Sequence, residues 1–201
     1  ALARSMRRGR THTVGVVVPD IASPFFGDLA RTLEDALFEA GYSAIICNSD
    51  GDVAKEERYL EVLQSKQVDG LLLVAASQPS EALLRVVERG TPAIVVDREL
   101  GDIPASQVMV ANHEGGHLAG QHLLELGHRD IGVIAGPGGL GTSARRLEGF
   151  GAALAEAGVE LPPRRIARGD FRAASGRSAV DGWLLQDDLP TAVFAENDLM
   201  A

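Results

Sequence analysis

The chain has a single cysteine among 201 residues, Cys47, set in an apolar run. One buried thiol excludes a disulfide framework and fits a reducing compartment, so a cytoplasmic protein is expected. Long hydrophobic runs are lacking too. None approaches the roughly 20 apolar residues that cross a bilayer, and no membrane partner is expected. Val14–Val18 is stopped by Pro19-Asp20, too short for the core of an export signal. Positive charge is scarce. Nineteen Lys and Arg against 28 Asp and Glu give a net charge of −9, which argues against a nucleic-acid surface over most of the chain. The exception is the first ten residues, where Arg4, Arg7, Arg8 and Arg10 occur without an acidic neighbour. Alone, that segment reads either as a solvated basic tail or as a DNA-contacting arm.

Catalytic signatures are incomplete. No G-x-S-x-G nucleophile elbow occurs. Gly136-Pro-Gly-Gly-Leu-Gly141-Thr142 has the glycine spacing of a phosphate-binding loop, but Thr142 stands where that loop needs its lysine. His113-Glu114-Gly115-Gly116-His117 is a literal H-E-x-x-H, the pattern that binds zinc and places a general base. An extended zinc site would need a histidine at position 123, which is Leu123; His122 is one residue off. Gly115 and Gly116 weaken the helix that would hold the metal. The structural reading is a helix capped by Asn112 with a loosely packed first turn. The expectation is no metal, no cofactor and no enzyme, with a zinc hydrolase using His113, Glu114 and His117 as the enzymatic rival.

What the chain does have is a regular alternation. Val14–Val18, Ala44–Cys47, Gly70–Val74, Ala93–Val96, Val108–Val110, Ile131–Ala135, Arg165–Ala167 and Ala192–Ala195 read as strands buried on both faces. Helices lie between them. Phe25, Leu29, Leu33 and Leu37 form one apolar stripe, and Ala144, Leu147, Phe150, Leu154 and Ala157 another. Gly41, Gly90, Gly127 and Gly158 sit where helices end, and Ser23-Pro24 where the first begins. Alternating strands and helices imply parallel sheets. The count exceeds one sheet, so the expected α/β architecture is two doubly wound subdomains with a ligand cleft between them. The divisions are residues 1–13 as a basic stub, 14–111 as the first subdomain and 112–201 as the second, cut short near Asn197–Ala201.

Open α/β sheets bind ligands beyond the carboxyl ends of their strands. Those positions hold Asp20, Ser23, Phe25 and Phe26; Asn48, Ser49 and Asp50; Asp97 and Arg98; Gly136 to Thr142 with Arg145 and Arg146; Asp170 and Phe171; and Asn197 and Asp198. Carboxylates, amides, guanidiniums and aromatic rings together suit a small polyhydroxylated or heterocyclic ligand. Loops are polar in any protein, and Phe25 or Phe26 reads equally well as core.

Several segments carry a resemblance across essentially the whole chain: ARSM (Ala3–Met6), DIASPFF (Asp20–Phe26), NSD (Asn48–Asp50), VDG (Val68–Gly70), VDR (Val96–Arg98), LGHRDIGVIAGP (Leu126–Pro137), ARRLEGF (Ala144–Phe150), GDF (Gly169–Phe171) and FAENDLMA (Phe194–Ala201). They resemble the lactose-repressor/galactose-repressor family of transcription regulators, whose core is type I periplasmic-binding-protein-like. The resemblance implies that Phe25 and Phe26 line the pocket, that Asp97 and Arg98 hold ligand hydroxyls, and that Arg146 grips the effector with Thr142 one turn earlier. It also implies that Phe171 stacks on the ligand and that Asn197 closes the far wall. Ser23 departs from the asparagine often found before Pro-Phe-Phe. A further acidic ligand residue is expected beyond Ala201. Arg4, Ser5 and Met6 match a hinge helix whose apolar residue wedges into the minor groove of operator DNA.

The function expected is the effector-binding core of a homodimeric repressor. A sugar or related metabolite would bind the core and shift operator binding through the hinge and an upstream helix-turn-helix domain. The rival of the binding class is a solute receptor for sugar uptake.

Overall fold

Thr13–Val18 is apolar at nearly every position, as a strand covered on both faces must be, and it forms β1. β2 (Ser43–Asn48), β3 (Gly70–Leu73), β4 (Ala93–Val96) and β5 (Ser106–Val108) join it in a parallel sheet of order β2-β1-β3-β4-β5. Val16 lies opposite Ile46 on one side and Leu72 on the other. Three helices cross over between strands: α1 (Pro24–Glu39), α2 (Val53–Ser65) and α3 (Glu81–Glu88). α2 and α3 cover one face, where Leu60, Leu63 and Leu83 pack on Val17, Leu71, Leu73 and Val95. α1 covers the other, where Phe26, Leu29, Leu33 and Leu37 meet Val16, Val18 and Val74. This computed structural model describes residues 10–76, 80–98, 100, 101 and 103–201. The hinge residues Arg4, Ser5 and Met6 lie outside the described residues.

The chain divides into two compact units, Ala1–Met109 and Val110–Ala201. The second has a three-stranded parallel sheet of order β7-β6-β8, from β6 (Ile131–Ala135), β7 (Ile166–Arg168) and β8 (Ala192–Ala195). Its helices are α4 (Asn112–Glu125), α5 (Gly141–Glu156) and α6 (Ala173–Leu185). Phe150 and Leu154 pack on Val133 and Ala135 on one face, and Trp183 and Met200 on Ile134 on the other. Arg165 closes the amino-terminal side. Only 3% exposed, it donates to both carboxylate oxygens of Asp130, at 2.6 and 2.7 Å, and to Asp188. It lies in a 3₁₀ turn (Pro163–Arg165) just before β7 rather than in the strand itself.

Several expectations change. Only the central strands β1 and β6 are buried along nearly their whole length; β3 and β4 are covered in part, β5 is exposed throughout, and the other edge strands β2, β7 and β8 are partly exposed because an edge has one uncovered side. Phe26, not Phe25, belongs to the α1 stripe, and Phe25 is 46% exposed. On α5 the inward residues are Leu147, Phe150, Ala153 and Leu154, with Ala144 and Ala157 turned outward. Gly41, Gly90, Gly127 and Gly158 all have positive φ, the left-handed turn that glycine allows after a helix.

The largest change concerns α4. Its first turn is tightly packed, not loose. A Cβ on Gly116 would lie 2.0 Å from the Arg146 carbonyl oxygen, and one on Gly149 would lie 1.9 Å from the His113 carbonyl oxygen. Backbone therefore touches backbone where α4 and α5 cross. Gly115, next in the chain, faces open space. Alanine normally gains about 1 kcal/mol over glycine inside a helix, so the two positions should respond with opposite sign. Gly115→Ala is expected to raise stability by up to that amount. Gly116→Ala should lower it by ~1–3 kcal/mol, since backbone cannot move aside as a side chain can. Urea unfolding of both variants measures the difference, and equal effects would contradict this packing.

Candidate functional site

The carboxyl edge of the first sheet is built from polar loops that bond mainly to one another. The Asn48 side chain accepts from the Ile21 amide at 2.7 Å and donates to Asp50, which fixes the loop after β1 against the loop after β2. Asp97 follows β4 with a positive φ of 55° and is 2% exposed. Arg98 beside it is 7% exposed. Its guanidinium donates to the Ala75 carbonyl at 3.0 Å and to the carbonyl and carboxylate of Asp97 at 2.7 and 2.8 Å. Oδ1 of Asp97 is buried without a hydrogen bond among the described residues. Glu56 of α2 is also fully buried and accepts from the Ala76 amide at 2.6 Å. Burial pushes its carboxyl above the ordinary range, although the Ala76 bond and nearby Arg98 pull the other way.

The second sheet gathers its polar groups around Arg146. α5 carries Arg146, and the close crossing with α4 brings Asn112 to it. Nε of Arg146 donates to Asn112 Oδ1 at 2.8 Å, and Nη1 donates to the Glu196 carbonyl at 2.6 Å. Nη2 makes no hydrogen bond among the described residues. Glu196 immediately follows β8 and is 4% exposed; its carboxylate accepts from the Gly136 amide at 2.8 Å. Asn197 donates to the Phe171 carbonyl at 2.9 Å and accepts from the Met200 amide. Phe171 has a φ of 67°, and its ring covers Gly136, where a Cβ would lie 2.2 Å from the ring. Thr142, on the first turn of α5, is buried. The arrangement offers directed donors from Arg146 next to an aromatic face.

Thr142, Arg146, Phe171 and Asn197 thus belong to one unit and one sheet edge, and Asp97 and Arg98 to the other unit. Phe25 meets Phe26 edge to face, with centroids 5.0 Å apart. The guanidinium of Arg98 is engaged by the Ala75 carbonyl and by the carbonyl and carboxylate of Asp97. Sequence reasoning missed Glu56, Asn112 and Glu196 as members of these clusters. Glu196 immediately follows an apolar strand, a signal as good as the one that singled out Asn197. Glu56 and Asn112 lie on helices and carried no such signal.

The histidine motif is differently employed. His113 and Glu114 are exposed, and His117 pairs with Glu156 of α5 at 3.0 Å. Among the described residues no three His, Cys, Asp or Glu side chains come together to hold a metal ion. The two glycines of the motif lie at or beside the α4–α5 crossing.

Comparison with known proteins places the chain among sugar-binding and regulatory folds. Residues 11–201 match the family of periplasmic binding proteins and the sugar-binding domain of the LacI family. The HTH-type transcriptional repressor PurR of Aliivibrio salmonicida is 38% identical over 203 residues, which is 100% of this chain and 61% of the relative. The chain thus spans about three fifths of the length of that curated relative. A complex of the transcriptional regulator CelR with cellobiose is 32% identical, with a TM-score of 0.84 over 99% of this chain and 64% of that one. A LacI-family transcriptional regulator from Enterococcus faecium with bound ribose is 31% identical, with a TM-score of 0.79 over 94% of this chain and 68% of that one.

Buried Glu56 generates a prediction whose sign follows from its raised pKa. The protonated form is favoured in the folded chain. That contribution is complete below the pKa of the unfolded chain and is lost as pH rises through the higher folded pKa. Glu56→Gln keeps an acceptor for the Ala76 amide and carries no charge. It should be more stable than the parent at neutral pH, and the gain should shrink in acid. Urea melts of both proteins at several pH values test this; a parallel pH dependence would be contrary to it.

Proposed function

The chain belongs to the family of periplasmic binding proteins and LacI-family sugar-binding domains, and from that membership we propose that it is the effector-binding core of a DNA-binding transcriptional repressor. The observation that carries the reading is the held guanidinium of Arg146. Asn112 and the Glu196 carbonyl take Nε and one hydrogen of Nη1. An arginine has five N–H donors, so three remain, one on Nη1 and two on Nη2, and one from each nitrogen can point in parallel at a ligand. Such a fork is suited to vicinal hydroxyls, a carbonyl or an anionic group of a ligand. Phe171 supplies an apolar face for a sugar or heterocyclic ring, and Thr142 and Asn197 complete the set on this unit. On the other unit we assign Phe25, Phe26, Asp97 and Arg98. The effector is a small polar metabolite, sugar-like in chemistry. The relatives named above include regulators bound to cellobiose and to ribose.

In the whole protein the effector alters operator binding through a hinge containing Arg4, Ser5 and Met6 and an N-terminal helix-turn-helix domain. The PurR relative is an HTH-type repressor. The protein acts in the cytoplasm as a homodimer, since a paired hinge needs two chains. Residues 1–13 form the hinge stub, 14–111 the first subdomain and 112–201 the second.

Two measurements test this. A thermal-shift screen of sugars, nucleobases and related metabolites identifies the effector. Calorimetry on Arg146→Ala should then show a loss of roughly 2–4 kcal/mol in affinity, the cost of removing a charged paired donor; unchanged affinity would remove Arg146 from the site. In a chain carrying its helix-turn-helix domain, Met6→Gly should weaken operator binding roughly tenfold, through loss of the apolar wedge and of helix propensity. Effector affinity without DNA should stay the same. Operator titration at fixed salt reads the first effect, and equal operator affinity would sink the hinge assignment.

A further inference from the structure

Glu196 contacts two parts of the second unit that its position in sequence does not join. Its carboxylate accepts from the amide of Gly136, the first residue after β6 and the start of the loop into α5. Its carbonyl accepts from Nη1 of Arg146, further along α5. Its own amide donates to the Ile134 carbonyl and so locks the residue to the end of β6. We propose that Glu196 is a positioning residue that braces the β6–α5 loop and the Arg146 guanidinium together, so that the two are set as one element. The proposal rests on the reading of Arg146 as an effector contact.

The brace is costly, which is the second reason to assign it a role. A carboxylate 4% exposed has lost most of its hydration. Its Oε1 is buried, and the only group that relieves it among the described residues is the buried Ser143 hydroxyl of α5, too poorly placed for a full hydrogen bond. A chain selected only for stability would fill this place with an amide or an apolar group. The charged and polar groups facing Glu196 are Ser143 and Arg146 from α5, Arg168 from β7 and the Gly136 amide. Burial raises its pKa more than these groups lower it. The brace is therefore fully charged only above the usual carboxylate range, and protonation weakens its hold on Gly136 and its attraction for both guanidiniums.

The test needs no effector, so it stands or falls apart from the effector assignment. The Gly136 amide and the Arg146 Nε–H resonances are followed by nitrogen-15 NMR across acid to neutral pH in the intact chain. The expected result is that both move with one shared midpoint, above that of an ordinary glutamate. Glu196→Gln should remove the midpoint from both signals while leaving them sharp, since glutamine still accepts from Gly136. Glu196→Ala should broaden both while the Trp183 resonance, on the opposite face of the sheet, is unchanged. A Gly136 signal that titrates while Arg146 stays flat in the parent would overturn the proposal, leaving Glu196 as a loop anchor. A shared midpoint that persists in Glu196→Gln would overturn it as well. Failure of Arg146→Ala to change effector affinity would instead strike the effector reading and leave the brace intact.

Discussion

The backbone contact between α4 and α5 is the constraint on which the Arg146 cluster depends. Two helices separated by ordinary side chains run 8–10 Å apart. Gly116 and Gly149 remove the side chains at the crossing, and carbonyl groups of each helix sit where the other's Cβ would be. At that distance Asn112, at the start of α4, reaches the Arg146 Nε. Any larger spacing would leave the guanidinium with one anchor instead of two. The H-E-G-G-H run acquires a physical explanation from this. Its second glycine is fixed by helix approach, and its second histidine pairs with Glu156 across the same interface.

Each unit carries a version of one device. In the first, buried Glu56 holds the Ala76 amide just past β3, and Arg98 binds the adjoining Ala75 carbonyl. In the second, buried Glu196 holds the Gly136 amide just past β6, with Arg146 bonded to its carbonyl. Backbone amides at the carboxyl end of a parallel strand have left the ladder and need acceptors. A carboxylate satisfies them strongly, and an arginine beside it offsets the buried charge. The units differ in what remains. Arg98 is turned into the protein's own carbonyls, whereas Arg146 keeps Nη2 clear of them. That asymmetry makes the second unit the stronger candidate for the ligand's principal polar contact.

The fold was legible because parallel strands and their crossovers write a strong pattern. Seven of the eight strands lie where apolar runs predicted them, within one residue at either end; β5 shares only Val108 with the expected Val108–Val110, and four helix-terminal glycines have the positive φ their positions implied. Edges were not legible. β2 keeps an apolar centre like that of an inner strand, and β5 was read from the apolar residues that follow it, so only the pairing order reveals which side is open. The choice of Phe25 over Phe26 failed because a pair of adjacent aromatics at a helix start fits either phase. In the polar clusters, residues next to strand ends could be read from the chain. Asn112 and Glu56 could not, since each reaches its partner through tertiary packing and no spacing records it.

The way Arg146 is held bears on what kind of ligand suits it. A guanidinium is planar, so anchors on Nε and Nη1 fix the plane as well as the position of the remaining donors. The entropy of ordering the side chain is then met on folding, and a ligand bound later does not have to supply it. A lysine at this place would keep the charge and lose the plane, because an ammonium has no fixed fork. On the proposed reading of Arg146 as the effector contact, such a site would discriminate by direction rather than by charge alone. Ligands with two acceptors in one plane are favoured over compact anions. The carboxyl of Glu196 attracts the Arg146 guanidinium and offsets part of its charge, which on the proposed reading suits the hydroxyl or ring-carbonyl chemistry of a neutral metabolite.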